Sequence, residues 1–257
     1  MKFLNFTIFA LLMYMSSTAQ IKPEYTREVF VKGGDTLLYR QLLPENFDPA
    51  KKYPVLFVLH GAGERGNDNE AQLTHGSKLF QSERMRKDFP AIVIFPQCPV
   101  NDFWANVQFK NAVERFAFQN GGEPGKAMKL LTELVTNFRN LKYTDNDRFY
   151  AGGLSMGGMG TLEILRRKPK MFAAAFSICG GDNVENVKKY RKVPLWFFHG
   201  EKDNVVPSEK SKVLVAELQR LKAPDVKLTL YPDANHNSWD PAFAEPELLT
   251  WLFSHRR

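Results

Sequence analysis

A glycine-rich stretch around one serine, Gly-Gly-Leu-Ser-Met-Gly-Gly at residues 152–158, most constrains how this chain can fold. It lies between an apolar segment, Arg148 to Ala151, and a helix-like run, Thr161 to Arg167. This order predicts a strand, a sharp turn and a helix. Such a unit is typical of a sheet whose strands alternate with helices along the chain.

The spacing of the glycines around the serine is that of a nucleophile elbow. In so tight a turn the residues two before and two after the serine must be small, and Gly153 and Gly157 occupy those places. The turn would present the Ser155 hydroxyl, and Met156 would offer its N–H to a developing oxyanion. Glycine-rich turns without catalytic roles are common in α/β proteins. A catalytic interpretation of this motif therefore also requires a base, an acid and a second oxyanion donor elsewhere in the chain.

Apolar strands and helical runs alternate along the chain after an initial hairpin with its turn at residues 33–35. The predicted strands are 26–31, 36–43, 55–60, 91–96, 148–151, 172–178, 194–199 and 226–231, and the predicted helices are 126–141, 161–167, 208–222 and 245–253. The pattern predicts an α/β fold with a mostly parallel central sheet, an N-terminal antiparallel hairpin and helices on both faces.

The first residues have the layout of a secretory signal peptide, residues 1–19, with a lysine, an apolar run and small residues up to Ala19. A membrane anchor is the alternative, but the apolar run is short for a bilayer span and polar residues interrupt it. We therefore expect a secreted or periplasmic protein without stable membrane insertion. The remaining residues, 20–257, are long enough for one catalytic domain, and the 44% hydrophobic content of the whole sequence suits a single large core.

The formal net charge is +7, and the basic residues are densest at Arg166 to Lys170 and at Lys188 to Lys192. Each cluster falls between predicted elements, where a solvated helix end is the ordinary interpretation. A nucleic-acid partner is not expected, because basic stripes interleaved with aromatic residues and a recognisable binding module are missing. An anionic substrate such as an acidic polysaccharide remains a weaker alternative through the surface field.

Two cysteines, Cys98 and Cys179, follow strand-like segments that are not neighbours in the predicted sheet. An exported chain permits a disulfide between them, and the sequence leaves that pairing open. Neither cysteine has the spacing of a metal site. No metal and no organic cofactor are expected.

The second oxyanion donor is expected directly after the buried strand that ends at His60. Residues 61–66 read Gly-Ala-Gly-Glu-Arg-Gly, and glycines at the end of a strand let backbone N–H groups approach a ligand. Ala62 is the favoured donor and Gly63 the alternative. A turn that binds no ligand is the other interpretation.

Five histidines could act as the base: His60, His75, His199, His236 and His255. The histidines at 60 and 199 end strands within His-Gly pairs and suit structural roles, the one at 75 lies in an ill-defined region, and the one at 255 lies near the end of the sequence. The best candidate is His236, in a turn-rich loop after the last strand and hence at the same sheet edge as Ser155.

Two carboxylates could orient this base. Asp203 follows the penultimate strand, and Asp182 follows the strand before it. Both strands end at the predicted edge, so position alone leaves both candidates open.

In this order of residues the chain resembles the α/β-hydrolase superfamily, whose chain order is serine, acid, histidine. The superfamily often carries the acid in H-G-x-x-D-x-x-V-P, which residues 199–207 match with Asp203. His60-Gly61-Ala62-Gly63 likewise resembles its H-G oxyanion motif. The resemblance implies the α/β-hydrolase fold and the triad Ser155, Asp203 and His236.

Within that superfamily, residues 60–66, 96–98 and 236–239 look similar to secreted esterases of the prolyl-oligopeptidase and feruloyl-esterase-like group. The resemblance implies a serine carboxylic ester hydrolase that forms an acyl-enzyme, acting on small-molecule or carbohydrate esters such as the acetyl or feruloyl esters of plant polysaccharides. An exported serine peptidase and a non-catalytic binding protein are the alternatives. The motifs do not define the oligomeric state.

Trp104 and Trp239 lie on loops expected at the active edge, where an indole could stack on a sugar or an aromatic acid. A packed loop anchor is the alternative for both. Trp196 and Trp251 fall within a strand and a helix and are expected in the core. The long connection between residues 97 and 126 is expected to form one wall of the substrate pocket.

Overall fold

The structure is a computed structural model that describes residues 24–109 and 116–257. The predicted signal peptide, residues 1–19, lies outside these residues. Within the described ranges, no helix combines the length and the apolar character that a membrane crossing requires.

An eight-stranded sheet forms the centre of the molecule, and a two-stranded sheet lies in the long connection. The strands are β1 (Thr26–Lys32), β2 (Asp35–Leu42), β3 (Tyr53–Leu59), β4 (Ile92–Pro96), β5 (Val107–Phe109), β6 (Phe116–Phe118), β7 (Thr144–Leu154), β8 (Ala174–Ile178), β9 (Leu195–Gly200) and β10 (Val226–Tyr231). The large sheet has the order β1-β2-β4-β3-β7-β8-β9-β10. Strand β2 pairs antiparallel with both neighbours, whereas β4, β3 and β7 to β10 pair in parallel.

Helices cover both faces of this sheet. They are α1 (Ser77–Phe80), α2 (Glu83–Asp88), α3 (Lys126–Arg139), α4 (Met156–Arg167), α5 (Val187–Tyr190), α6 (Glu209–Arg220), α7 (Trp239–Phe243) and α8 (Leu248–Ser254). The prediction of a mostly parallel sheet with an N-terminal hairpin and helices on both faces is confirmed.

Strand β3 shows why the central strands are continuously apolar. Its alternate side chains Val55, Phe57 and Leu59 join one core cluster, with α3, α4 and α6, while Leu56 and Val58 join the other, with α2 and α8. Every residue of β3 is buried because a helical layer covers each face.

Several elements differ from the sequence prediction in their bounds, among them the strand before the elbow and the closing helix. The strand before the elbow begins at Thr144 rather than Arg148. The predicted closing helix, residues 245–253, begins only at Leu248 as α8, and the short helix α7 precedes Pro246. Proline restricts the residue before it to extended backbone, so the chain leaves the helical conformation there and resumes it at Leu248.

The long connection between β4 and α3 is anchored to the core by Trp104, which is completely buried. Its ring lies 5.6 Å from the ring of His60. Gly160 of α4 lies directly against it, because a Cβ added at this glycine would lie 2.4 Å from the Trp104 Cβ. The close approach of α4 and the connection therefore depends on the missing side chain at position 160.

Replacing Gly160 with alanine tests this contact. In a helix interior with room for a methyl group, the change from glycine to alanine raises the free energy of unfolding by about 1 kcal/mol. Here we expect a loss of about 1–3 kcal/mol in the free energy of unfolding, because α4 or Trp104 must move. Urea unfolding measures the change, with Val213→Ala, at an exposed position of α6, expected to stay within about 0.5 kcal/mol. A more stable Gly160→Ala protein would contradict the packing described here.

Candidate active site

The turn between β7 and α4 holds Ser155 in a backbone conformation that side chains rarely adopt, with φ 52° and ψ −118°. A Cβ at Gly157 would lie 2.0 Å from the Leu59 carbonyl oxygen, and one at Gly153 would lie 2.6 Å from the same oxygen. Both positions therefore require glycine, as the motif predicts, because the turn is pressed against the end of β3.

Three side chains from separate loops form one hydrogen-bonded chain at the carboxyl edge of the sheet. The Ser155 Oγ lies 2.9 Å from Nε2 of His236, and Nδ1 of that histidine lies 2.8 Å from Oδ2 of Asp203. The carboxylate fixes the ring so that Nδ1 carries a proton and Nε2 can accept one from the serine. The structure thus brings together the three residues that the sequence motifs predict.

The carboxylate of Asp203 is buried and held from several sides. Burial alone would raise its pKa, but hydrogen bonds from His199, His236 and two backbone N–H groups outweigh burial and hold the pKa well below its usual range. Oδ1 accepts from the N–H groups of Val205 and Val206, each at 2.9 Å. The carboxylate is therefore ionised at neutral pH.

The loops that carry Asp203 and His236 are joined to each other. Asn235 Oδ1 accepts from the N–H groups of Asn204, at 3.1 Å, and His236, at 2.7 Å. A Cβ at Gly200 would lie 2.3 Å from the Asn235 carbonyl oxygen, so the loops approach this closely only with glycine there. Because β9 and β10 are parallel neighbours, both loops leave the same edge of the sheet.

Asp182, the other candidate acid, lies in a separate buried cluster. Its Oδ1 accepts from the N–H of Asn183 at 2.7 Å and from the side-chain amide of Asn186 at 2.9 Å. Burial raises its pKa to about 6. The structure pairs His236 with Asp203 instead.

Both predicted oxyanion donors, Ala62 and Met156, line one cavity with Ser155 and His236. Met156 is the first residue of α4, where backbone N–H groups have no acceptor within the helix. Ala62 opens a short 3₁₀ turn directly after β3, and Gly63, the alternative donor, also lines the cavity.

The loop after β3 is held by buried polar groups of the segment after β4. His60 accepts from the N–H of Cys98 at 2.9 Å, and its Nδ1 lies 2.6 Å from the Gly61 carbonyl. Gln97 donates to Asp68 at 2.7 Å and accepts from the N–H of Asn69 at 2.8 Å. These contacts give His60 the structural role that the sequence predicts for it.

The active-site cavity has a volume of about 410 Å³, and its walls come from six segments of the chain. The described residues that line it are Gly61, Ala62, Gly63, Glu64, Arg65, His75, Phe103, Phe116, Leu154, Ser155, Met156, Met159, Val205, His236 and Trp239. The long connection supplies Phe103 and Phe116, as its position in the sequence suggests.

The two loop tryptophans have different places. Trp239 lines the cavity, and its ring lies 5.4 Å from that of His236. Trp104 is completely buried and is absent from the cavity wall, so the expectation that it contacts substrate is not supported. It occupies the place of a packed loop anchor, since Gly160 leaves room for it in the core.

Two polar residues on the wall, His75 and Glu64, were not predicted as site residues from the sequence. The ring of His75 packs at a tilt against that of Trp239, with ring centroids 5.0 Å apart, and its Nε2 lies 3.7 Å from Oε1 of Glu64. The glutamate belongs to the loop at residues 61–66, which carries the expected oxyanion donor Ala62, whereas His75 comes from a region without a recognisable pattern. Only the packing of that region against Trp239 brings the histidine to the cavity.

Cys98 and Cys179 are free and buried. Cys179, Asp203 and His236 each place one potential metal-ligand atom within 4.8 Å of the others. Burial, followed by the Asp203 charge, raises the pKa of the Cys179 thiol to about 12, whereas metals bind the thiolate. The donor set therefore suits the hydrogen-bonded chain better than a metal ion.

The parallel sheet, the serine at a strained strand-to-helix turn and the acid and histidine on later loops define an α/β-hydrolase. Residues 36–229 match the family described as putative esterases. The chain belongs to this family.

Curated relatives share short regions with this chain. A probable dipeptidyl-peptidase 5 of Aspergillus terreus is 28% identical over 141 residues, which cover 54% of this chain and 18% of that protein. A bifunctional acetylxylan esterase/xylanase of Neocallimastix patriciarum is 26% identical over 164 residues, covering 63% of this chain and 21% of that protein. The match thus spans about a fifth of each relative.

Among solved structures, one described as a thermostable esterase is similar over 91% of this chain and 64% of that one. Its TM-score is 0.81 and its sequence identity is 33%.

The buried His60, directly before the loop at residues 61–66, makes the stability of the fold depend on pH. Burial lowers the pKa of His60 to about 4, against about 6.5 in the unfolded chain. Between these values the unfolded state binds the proton and the folded state does not, so stability falls as the pH falls. From pH 7 to pH 4, we expect the unfolding free energy of the wild type to drop by about 3 kcal/mol more than that of His60→Gln. Parallel pH curves for the two proteins would contradict this assignment.

Proposed function

We propose that this protein is a serine carboxylic ester hydrolase that acts through an acyl-enzyme on Ser155. The observation that carries the proposal is the chain of hydrogen bonds from Ser155 through His236 to the buried Asp203, which opens onto a largely apolar cavity. A serine hydroxyl needs such a base to become a nucleophile at neutral pH.

In the first step, Oγ of Ser155 attacks the ester carbonyl carbon while Nε2 of His236 takes the hydroxyl proton. The carbonyl oxygen becomes an oxyanion, which the N–H groups of Ala62 and Met156 stabilise. The C–O bond to the alcohol then breaks, and the histidine gives its proton to the leaving alkoxide. The products are the free alcohol and an ester of Ser155.

In the second step, water replaces the alcohol. His236 takes a proton from the water while the water oxygen attacks the acyl carbon. The bond between the acyl carbon and Oγ of Ser155 then breaks, the histidine returns the proton to Oγ, and the carboxylic acid is released. In both steps the ionised Asp203 stabilises the imidazolium and keeps the ring oriented. Its many hydrogen bonds support this role, because they keep the carboxylate charged in a buried place.

We further propose that the substrates are acetyl or feruloyl esters of plant polysaccharides. The aromatic walls Phe103, Phe116 and Trp239 suit a flat aromatic acid, and the cavity of about 410 Å³ lies within the size range of small-ligand pockets. The acetylxylan esterase/xylanase relative supports an ester of this kind.

A serine peptidase is a second candidate, favoured by the dipeptidyl-peptidase relative. The same acyl chemistry serves both activities, and selectivity depends on the shape of the pocket. A non-catalytic binding protein is less well supported, since each member of the hydrogen-bonded chain is in place. We also propose that residues 20–257 act as one catalytic domain after export, as the sequence predicts.

Substitutions at Ser155 and at the two candidate acids, Asp203 and Asp182, test the mechanism. Ser155→Ala should lower kcat on p-nitrophenyl acetate by roughly 10⁶. Asp203→Asn should lower it by roughly 10⁴, because the ring loses its fixed tautomer, while Asp182→Asn should keep kcat within about threefold. Thermal unfolding shows that each variant is folded. Equal losses at both aspartates, or activity retained in Ser155→Ala, would reject the proposed triad.

Trp239 tests the substrate class. Trp239→Ala should raise KM for methyl ferulate about tenfold more than KM for p-nitrophenyl acetate, because the larger acyl group loses a ring contact. Any disturbance of the neighbouring His236 acts on both esters and cancels in the ratio. Trp239→Phe should keep the ratio of the two KM values close to that of the wild type, because phenylalanine retains an aromatic ring. An unchanged KM ratio would exclude the indole as a substrate contact.

A further inference from the structure

The two basic clusters of the sequence meet at a second cavity of about 660 Å³, which shares no described lining residue with the active-site cavity. Its basic side chains are Lys129 of α3, Arg166, Arg167 and Lys168 at the end of α4, and Lys189 of α5. Of the described residues that line it, these five are basic and one, Glu133, is acidic. We call this site the basic cavity.

The arginines of the basic cavity are positioned by one buried carboxylate. Glu163, whose side chain is 3% exposed, pairs with Arg166 and lies 2.6 Å from the Arg167 guanidinium. It also accepts the N–H of Asn106 at 2.8 Å. Asp182 adds a second negative charge near Arg166, so these two carboxylates balance the two guanidiniums, and the net positive charge of the basic cavity comes from its lysines.

The carboxylates near the lysines do not cancel the positive charge of the lysines. Glu133 lies 3.8 Å from Lys32 of β1, which offsets its charge, and Lys129 lies 4.0 Å from the exposed Glu123. Within residues 24–109 and 116–257, neither Lys168 nor Lys189 has a carboxylate at salt-bridge distance. The basic cavity therefore favours an anionic occupant.

We propose that the basic cavity binds an acidic oligosaccharide through its carboxylate groups. The volume exceeds what one small anion needs and matches the size of sites for larger ligands. Thr132 and Glu133 supply polar partners for sugar hydroxyls. The described lining holds no aromatic ring, and so it lacks the stacking platform that single-stranded nucleic acids use.

The chain joins the basic cavity to the active-site cavity over a short path. Phe116 of β6 lines the active-site cavity, and Gly121, five residues later, lines the basic cavity. Five residues span at most about 18 Å. The arrangement allows one acidic polysaccharide chain to contact both places, but the binding site does not depend on ester hydrolysis.

Calorimetric titration of the folded protein with trigalacturonic acid at low ionic strength tests the proposal. The double variant Lys168→Glu/Lys189→Glu should bind at least about tenfold more weakly than the wild type. Lys51→Glu/Lys52→Glu changes the net charge equally at exposed positions elsewhere and should bind within about twofold of the wild type. Binding should weaken as salt is added. A repeat with Ser155→Ala separates binding from any catalysis.

Other ligands complete the experiment. A neutral trisaccharide should not bind, and inorganic phosphate should bind at least about tenfold more weakly than trigalacturonic acid. If phosphate binds as tightly as trigalacturonic acid, the site is one for small anions. If both double variants lose the same affinity, binding depends on general surface charge. Either result overturns the proposal. Absence of trigalacturonate binding would overturn it too, even if ester hydrolysis is confirmed.

Discussion

The close approach of the elbow to the end of β3 is the constraint on which the site depends. With no side chain at Gly153 or Gly157, the start of α4 lies against the Leu59 carbonyl. This contact sets Ser155 beside the loop that follows β3, so the two expected oxyanion donors line the same cavity. The hydrogen bond from the Ser155 N–H to the Ile178 carbonyl, at 2.8 Å, fixes the turn against β8 as well.

The sequence predicted those parts of the site that depend on local spacing. Small residues around Ser155, a His-Gly pair after β3 and a loop histidine after β10 each follow from the demands of one turn. The choice between Asp203 and Asp182 needed the superfamily resemblance, because both residues follow strands at the same edge. In the structure the choice depends on contacts between two loops, with Gly200 against the Asn235 carbonyl.

Residues whose place depends on packing between distant segments could not be read from the sequence. Trp104 has the loop context of a ligand contact, but a gap on α4 at Gly160 accepts it into the core. His75 reaches the cavity because its segment packs against Trp239. The convergence of the two basic clusters is a similar case, since residues 166–168 and Lys189 come to line one cavity only through the packing of α4 and α5.

The strand order also sets when the site can assemble. The central strand β3 pairs with β7, about ninety residues later, and β10 joins the sheet beside β9. Pairings so distant in sequence are slow to form. During synthesis from the N-terminus, Ser155, the proposed nucleophile, emerges well before His236, the proposed base, on the loop after β10. The nascent chain therefore lacks the proposed base until the last strand of the sheet and the loop after it have been added, and the proposed mechanism cannot operate before then.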